Sequence, residues 1–232
     1  MRLHPRFATL LWALILSVLG APRVMAQTNL TQPLLHVEGT LQADDDTLDD
    51  GRFYDVHEFT GQANQTVTIL LESEAFDAYL ILEDEQGNRI ARNDDISSTT
   101  TNAALVTTLS TEGRYRVIAN AYQAEAQGPY RLTIHPTRAD QPNPLLSNAE
   151  VMLLEANRQL QIGIARFNRS EFGAAFALWE EALALFRAEV VRATFPQDSV
   201  QGEANALGNL GAAYYSLGDY ERAIDFHQQA LV

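Results

Sequence analysis

The chain has 232 residues, no cysteine and a formal charge of −14. Disulfides, thiolate catalysis and cysteine-ligated zinc are therefore excluded. All 16 basic residues are arginine; Arg2, Arg6 and Arg23 lie in an acid-free stretch of 26 residues, leaving 13 arginines against 30 acids in the rest. Such a surface repels nucleic acid phosphate and anionic lipid, so no nucleic acid partner is expected.

Residues 1–26 read as a signal peptide. Arg2 and Arg6 open a positive segment, an apolar run follows from Phe7 to Ala21, and Val24-Met25-Ala26 is a small-x-small cleavage pattern with Gln27 as mature start. The run is short for a membrane span of about 20 residues. The expectation is an exported protein, periplasmic or extracellular, with no stable membrane span after cleavage. An uncleaved signal anchor is the competing reading.

Residues 34–136 alternate with period two. Val67, Ile69 and Leu71 share one face of a strand, as do Tyr115, Val117 and Ala119, and Tyr130, Leu132 and Ile134. Turn signals separate the runs: Asp49-Asp50-Gly51, Gly61-Gln62-Ala63-Asn64, Glu85-Gln86-Gly87-Asn88, Glu112-Gly113 and Gly128-Pro129. Short strands at this spacing without helices between them predict an all-β sandwich. Gly39-Thr40-Leu41, Tyr54 to Phe59, Gln65 to Ile69, Asp77 to Leu80, Gly113 to Val117 and Gly128 to Leu132 come in an order that resembles the bacterial pre-peptidase C-terminal (PPC) domain. The resemblance implies a small β-sandwich of the kind appended to secreted proteins; another secreted sandwich is the alternative.

Residues 137–146 form a Pro-rich linker, because Pro136, Pro142 and Pro144 forbid a helix across it. Ser147 and Glu150 then stand at capping-box spacing. From 147 to 232 the pattern is all-α, with an internal repeat. Gly163, Phe172, Ala175 and Ala182 recur 48 residues later as Gly211, Tyr220, Ala223 and Ala230. Each unit reads as helix, tight turn, helix, with a glycine where the second helix approaches the first. The 48-residue period predicts a helix extended past Arg187 and a loop around Pro196.

The second unit resembles the tetratricopeptide repeat (TPR) through Leu210-Gly211, Tyr214, Gly218-Asp219-Tyr220, Ala223 and Ala230. It departs at His227, where that family shows an aromatic. In the first unit Gly163, Phe172, Ala175, Trp179 and Ala182 fit, but Arg166 stands at an aromatic position. The resemblance implies helical-hairpin repeats that bind a protein or peptide partner. Asn157, Arg158, Asn205 and Asn209 are polar first-helix positions that such a groove could use. Two units are fewer than such arrays usually need. Ala230, Leu231 and Val232 therefore suggest an open apolar edge, through which the chain could continue into further repeats or self-associate.

Signals of chemistry are absent. The five histidines include no i, i+3 or i, i+4 pair, and there is no H-E-x-x-H, G-x-S-x-G or phosphate loop. Two acidic clusters remain: Asp44-Asp45-Asp46 with Asp49-Asp50, and Asn93-Asp94-Asp95. Asp94 and Asp95 are weak calcium candidates, since calcium takes carboxylate and carbonyl oxygens. Solvated turns explain both clusters as well. The expectation is a non-enzymatic interaction or scaffold protein with no cofactor beyond optional calcium. The alternative is the non-catalytic front of a larger secreted enzyme, such as a caspase-like CHAT peptidase.

Overall fold

The computed structural model describes residues 32–138 and 140–231. The expected signal peptide and Val232 lie outside the described residues. Among the described residues nine strands come first: β1 (Leu35–Leu41), β2 (Asp46–Thr47), β3 (Phe53–Gly61), β4 (Thr66–Glu72), β5 (Ala78–Asp84), β6 (Arg89–Asn93), β7 (Ala103–Thr108), β8 (Gly113–Ala121) and β9 (Gly128–Thr137). They form two antiparallel sheets, β1-β9-β4-β7 and β2-β3-β8-β5-β6. The three apolar stripes read from the sequence all point into the core between the sheets.

β4 departs from simple alternation, as parts of β5, β7, β8 and β9 also do. Thr68 and Leu70, on the outer face of β4, are buried as well. The linker explains this: Asn143 Nδ2 donates to Thr68 Oγ1 at 2.7 Å, and Leu146 packs with Leu70, Ile96 and Ala104. The prolines thus lead the chain back over the sheet.

The helices are α1 (Asn148–Asn168), α2 (Phe172–Phe186), α3 (Glu189–Thr194), α4 (Pro196–Ser216) and α5 (Tyr220–Gln229). The capping box is formed: Ser147 Oγ accepts from the Glu150 amide, and Glu150 Oε2 accepts from the Ser147 amide at 2.7 Å. Only three residues separate α1 from α2 and α4 from α5, so each pair must fold back as a hairpin. Val151 and Leu154 of α1 join the Leu70 cluster, so the sandwich covers one side of the first helix. Ser98 adds a polar tie between the halves, donating its amide and hydroxyl to the Asp198 carboxylate at 2.9 Å each.

The expected path between the units is corrected. The helix does not run past Arg187: it ends at Phe186, and Ala188 is extended at φ −59, ψ 134. Pro196 is not in a loop but is the first residue of α4. A proline there loses no helical hydrogen bond and brings the right φ. The 14 residues beyond a 34-residue period therefore become a short helix and an early helix start. Ser199 Oγ, donating to the Phe186 carbonyl at 2.7 Å, fastens α4 to the end of α2.

Candidate functional site

In the first hairpin, Gly163 is buried beneath the Trp179 indole, whose Nε1 donates to the Leu160 carbonyl at 3.3 Å. A Cβ at Gly163 would overlap that ring. The second hairpin repeats the arrangement with His227 over Gly211; a Cβ there would meet the imidazole at 2.7 Å. Ala175, Ala182 and Ala223 are buried where the two helices of a hairpin touch, and Leu210 is buried in the same core. Ala230 closes α5 and is partly buried. Gly218, at φ +81, makes the turn after α4, and Asp219 caps α5 by accepting from the Arg222 amide.

Aromatic contacts follow the same 48-residue offset. Phe167 meets Phe172 at 5.1 Å between ring centroids, and Tyr215 meets Tyr220 at 5.3 Å. Tyr214 is stacked between Phe176 of α2, at 4.8 Å, and Phe226 of α5, at 5.5 Å. It thereby joins the two units, with the Arg222 guanidinium 4.4 Å from its ring centre. Arg166, at the matching place in the first unit, instead pairs with Glu171 across the turn at 2.6 Å.

The polar first-helix residues are not gathered in one place. Asn157 and Arg158 line a cleft of about 390 Å³ between α1 and the β6 and β7 edges, with Ile90, Val106 and Leu154. Arg158 is held there by both Glu155 oxygens, at 2.6 and 2.8 Å. Asn205 lies outside this cleft and accepts from Gln201 on the surface of α4.

In the acidic clusters, Asp45, Asp50 and Asp94 spend carboxylate oxygens locally. Asp45 accepts from the Gln42 amide, and Asp50 takes a forked pair from Arg52. Asp94 accepts from the Asp95 amide at 3.1 Å. Asp95 is pushed up to about 6, first by burial and then by the charges of Asp77, Asp94 and Asp198. One oxygen of Asp95 and one of Asp77 are buried without a hydrogen-bond partner. Among the described residues, no three His, Asp or Glu side chains are grouped so as to hold a metal ion.

A part-buried polar set escaped sequence reasoning. The Tyr130 hydroxyl donates to Asp55 and lies 2.7 Å from His57 Nε2, tying β9 to β3 across the core. Burial pushes His57 down, while burial and then Asp55 push Tyr130 up. Gly39 makes room for the Tyr130 ring. The paired positions 55 and 57 on one strand face were the available signal.

Residues 204–232 match the model of the tetratricopeptide repeat. The chain thus carries this repeat in α4 and α5, behind a β-sandwich. No curated protein matches. Among solved structures, the chain is similar to the pre-peptidase C-terminal domain of a Bacillus anthracis collagenase, at 17% identity and a TM-score of 0.34, covering 44% of this chain and 89% of that one. It is also similar to Aeromonas hydrophila PliG, a periplasmic inhibitor of g-type lysozyme, at 17% identity and a TM-score of 0.33, covering 44% and 85%. Among the described residues no helix is long and apolar enough to cross a membrane.

Proposed function

We propose that this chain is an exported, non-enzymatic interaction module whose helical hairpins hold a protein or peptide partner while the sandwich braces the first helix. The observation that carries the reading is the tetratricopeptide repeat at 204–232, built on a hairpin whose counterpart recurs 48 residues earlier. Hairpins of this kind bury their faces against one another and leave an extended surface for ligands. Support for export is the arginine-flanked apolar leader and the Ala26 cleavage pattern.

The test is photo-crosslinking of the mature chain, residues 27–232, in the envelope fraction of a producing bacterium, followed by mass spectrometry. Crosslinks from residues 147–231 to one recurrent protein are expected. Crosslinks confined to residues 35–137 would overturn the assignment of binding to the helices.

A further inference from the structure

On the side of α1 the sandwich ends in two strands with a free edge. β6 borders one sheet and β7 the other, and they are not paired to each other. Residues 90–93 and 104–107 line the cleft beside α1 in unbroken runs, so the strands open into it by their edges and not by a face. The two edges differ. β6 carries Arg89 and Arg92, and its pairing with β5 shifts register between Leu82 and Glu83, as guarded edges do. β7 has no charge, no proline and no register shift against β4. Its outward groups are partly used: the Asn102 carbonyl accepts from the Ile96 amide, and the Ala104 carbonyl from Asn93 Nδ2, each at 3.0 Å. The two-residue repeat of a strand turns the Val106 amide and carbonyl outward as well.

Charge marks the same place. Among the described residues, ten of the thirteen arginines are held in ion pairs, Arg158 of the cleft among them. Two of the other three, Arg89 and Arg92, stand on β6. Arg92 lines the cleft together with Ile90, which is 41% exposed. An unspent cation among apolar side chains, on a protein of formal charge −14, complements an acidic ligand.

We infer that the cleft takes an extended acidic segment of a partner protein, added as a strand at the Val106 end of β7. An apolar side chain of the segment lies against Ile90 and Leu154, and an aspartate or glutamate meets Arg92. Strand addition draws affinity from main-chain hydrogen bonds and selectivity from alternate side chains. α1 bounds the cleft opposite the strands. A volume of about 390 Å³ holds a few residues of one extended chain, and not the edge of a second two-layer sandwich. The inference rests on the proposed function only in taking the occupant to be a protein.

The probe is a phage library of random heptapeptides selected on the mature chain; recovered peptides are made with a fluorescein label and titrated by anisotropy. Peptides that alternate apolar with polar residues and carry an aspartate or glutamate are expected. Arg92→Glu should weaken them at least about ten-fold, and exchanging the peptide's acid for arginine should restore binding to that variant. N-methylation of one set of alternate peptide amides should abolish binding, and of the other set leave it, because an added strand pairs through every second residue. Arg92 is exposed, so the variant keeps the fold; circular dichroism and an unchanged melting temperature verify this, and Arg92→Gln serves as a second variant. No recovered peptide, peptides without an acid, or binding indifferent to Arg92→Glu or to N-methylation would overturn the inference. So would light scattering that shows a dimer dissociated by these peptides, since the occupant would then be a second copy. A failed selection beside recurrent crosslinks from the helices would sink this inference and leave the broader reading standing. A successful selection beside crosslinks confined to residues 35–137 would sink the broader reading and leave the strand contact.

Discussion

At the scale of residues, the two glycines that let the hairpins close differ in what they face. Gly163 lies under Trp179, a rigid ring buried in the core, while Gly211 lies under His227, an exposed side chain that can swing aside. Gly163→Ala is therefore expected to destabilise by about 1–3 kcal/mol through overpacking. Gly211→Ala should be close to neutral, since alanine regains up to about 1 kcal/mol of helix propensity. Thermal unfolding of the two variants checks the contrast. The sequence showed both glycines and their partners at one spacing. It could not show which partner had room to move, because that depends on burial by residues far along the chain.

Asp95 gives a pH-dependent expectation. Its carboxyl is pushed up to about 6 in the fold, from an ordinary value of 3.8. Between those values the folded chain keeps a proton that the unfolded chain has released, so this residue's contribution to stability falls as pH rises from about 4 to about 6. Above that range the buried charge is a constant cost. Asp95→Asn should thus raise the melting temperature at pH 7.5, with the gain vanishing towards pH 4. An equal gain at both pH values would contradict the assignment. Proximity of Asp95 to Asp77 and Asp198 was invisible in the sequence, since they lie on separate loops and on α4.

At the scale of elements, local chemistry was legible wherever a short motif fixed it. The Ser147–Glu150 box opens α1 as its spacing indicates, and Ser147→Ala should cost about 1 kcal/mol by loss of the side-chain acceptor. Gly218 is legible for the same reason: it occupies φ +81 at the end of α4. Gly218→Ala should cost about 1 kcal/mol in melting experiments, because a Cβ is disfavoured there. The first unit's counterpart, Ser170, holds φ 63 without being glycine. What the sequence hid was α3. Pro196 looks like a breaker when read forward from α2, and becomes a helix start only because Ala188 has already turned the chain.

At the scale of the whole molecule, the switch from period two to a helical period placed the sandwich before the hairpins. The contact between them was not legible, because Leu70, Ala104, Leu146 and Leu154 each look like ordinary members of their own element. The sandwich has its own closed core, distinct from this contact. Residues 27–140 expressed alone should therefore unfold cooperatively, but at a lower temperature than the sandwich within the full chain. Removing the helices uncovers Leu70, Ile96 and Ala104, and each square ångström of apolar surface returned to water costs about 25 cal/mol.

The central claim is that the helices, braced by the sandwich, hold another protein. Hydrogen–deuterium exchange of the mature chain, with and without the partner recovered by crosslinking, tests it most directly. Slowed exchange in the helices between Asn148 and Gln229 is the expected result. Protection confined to the strands, with the helices exchanging at unchanged rates, would contradict it.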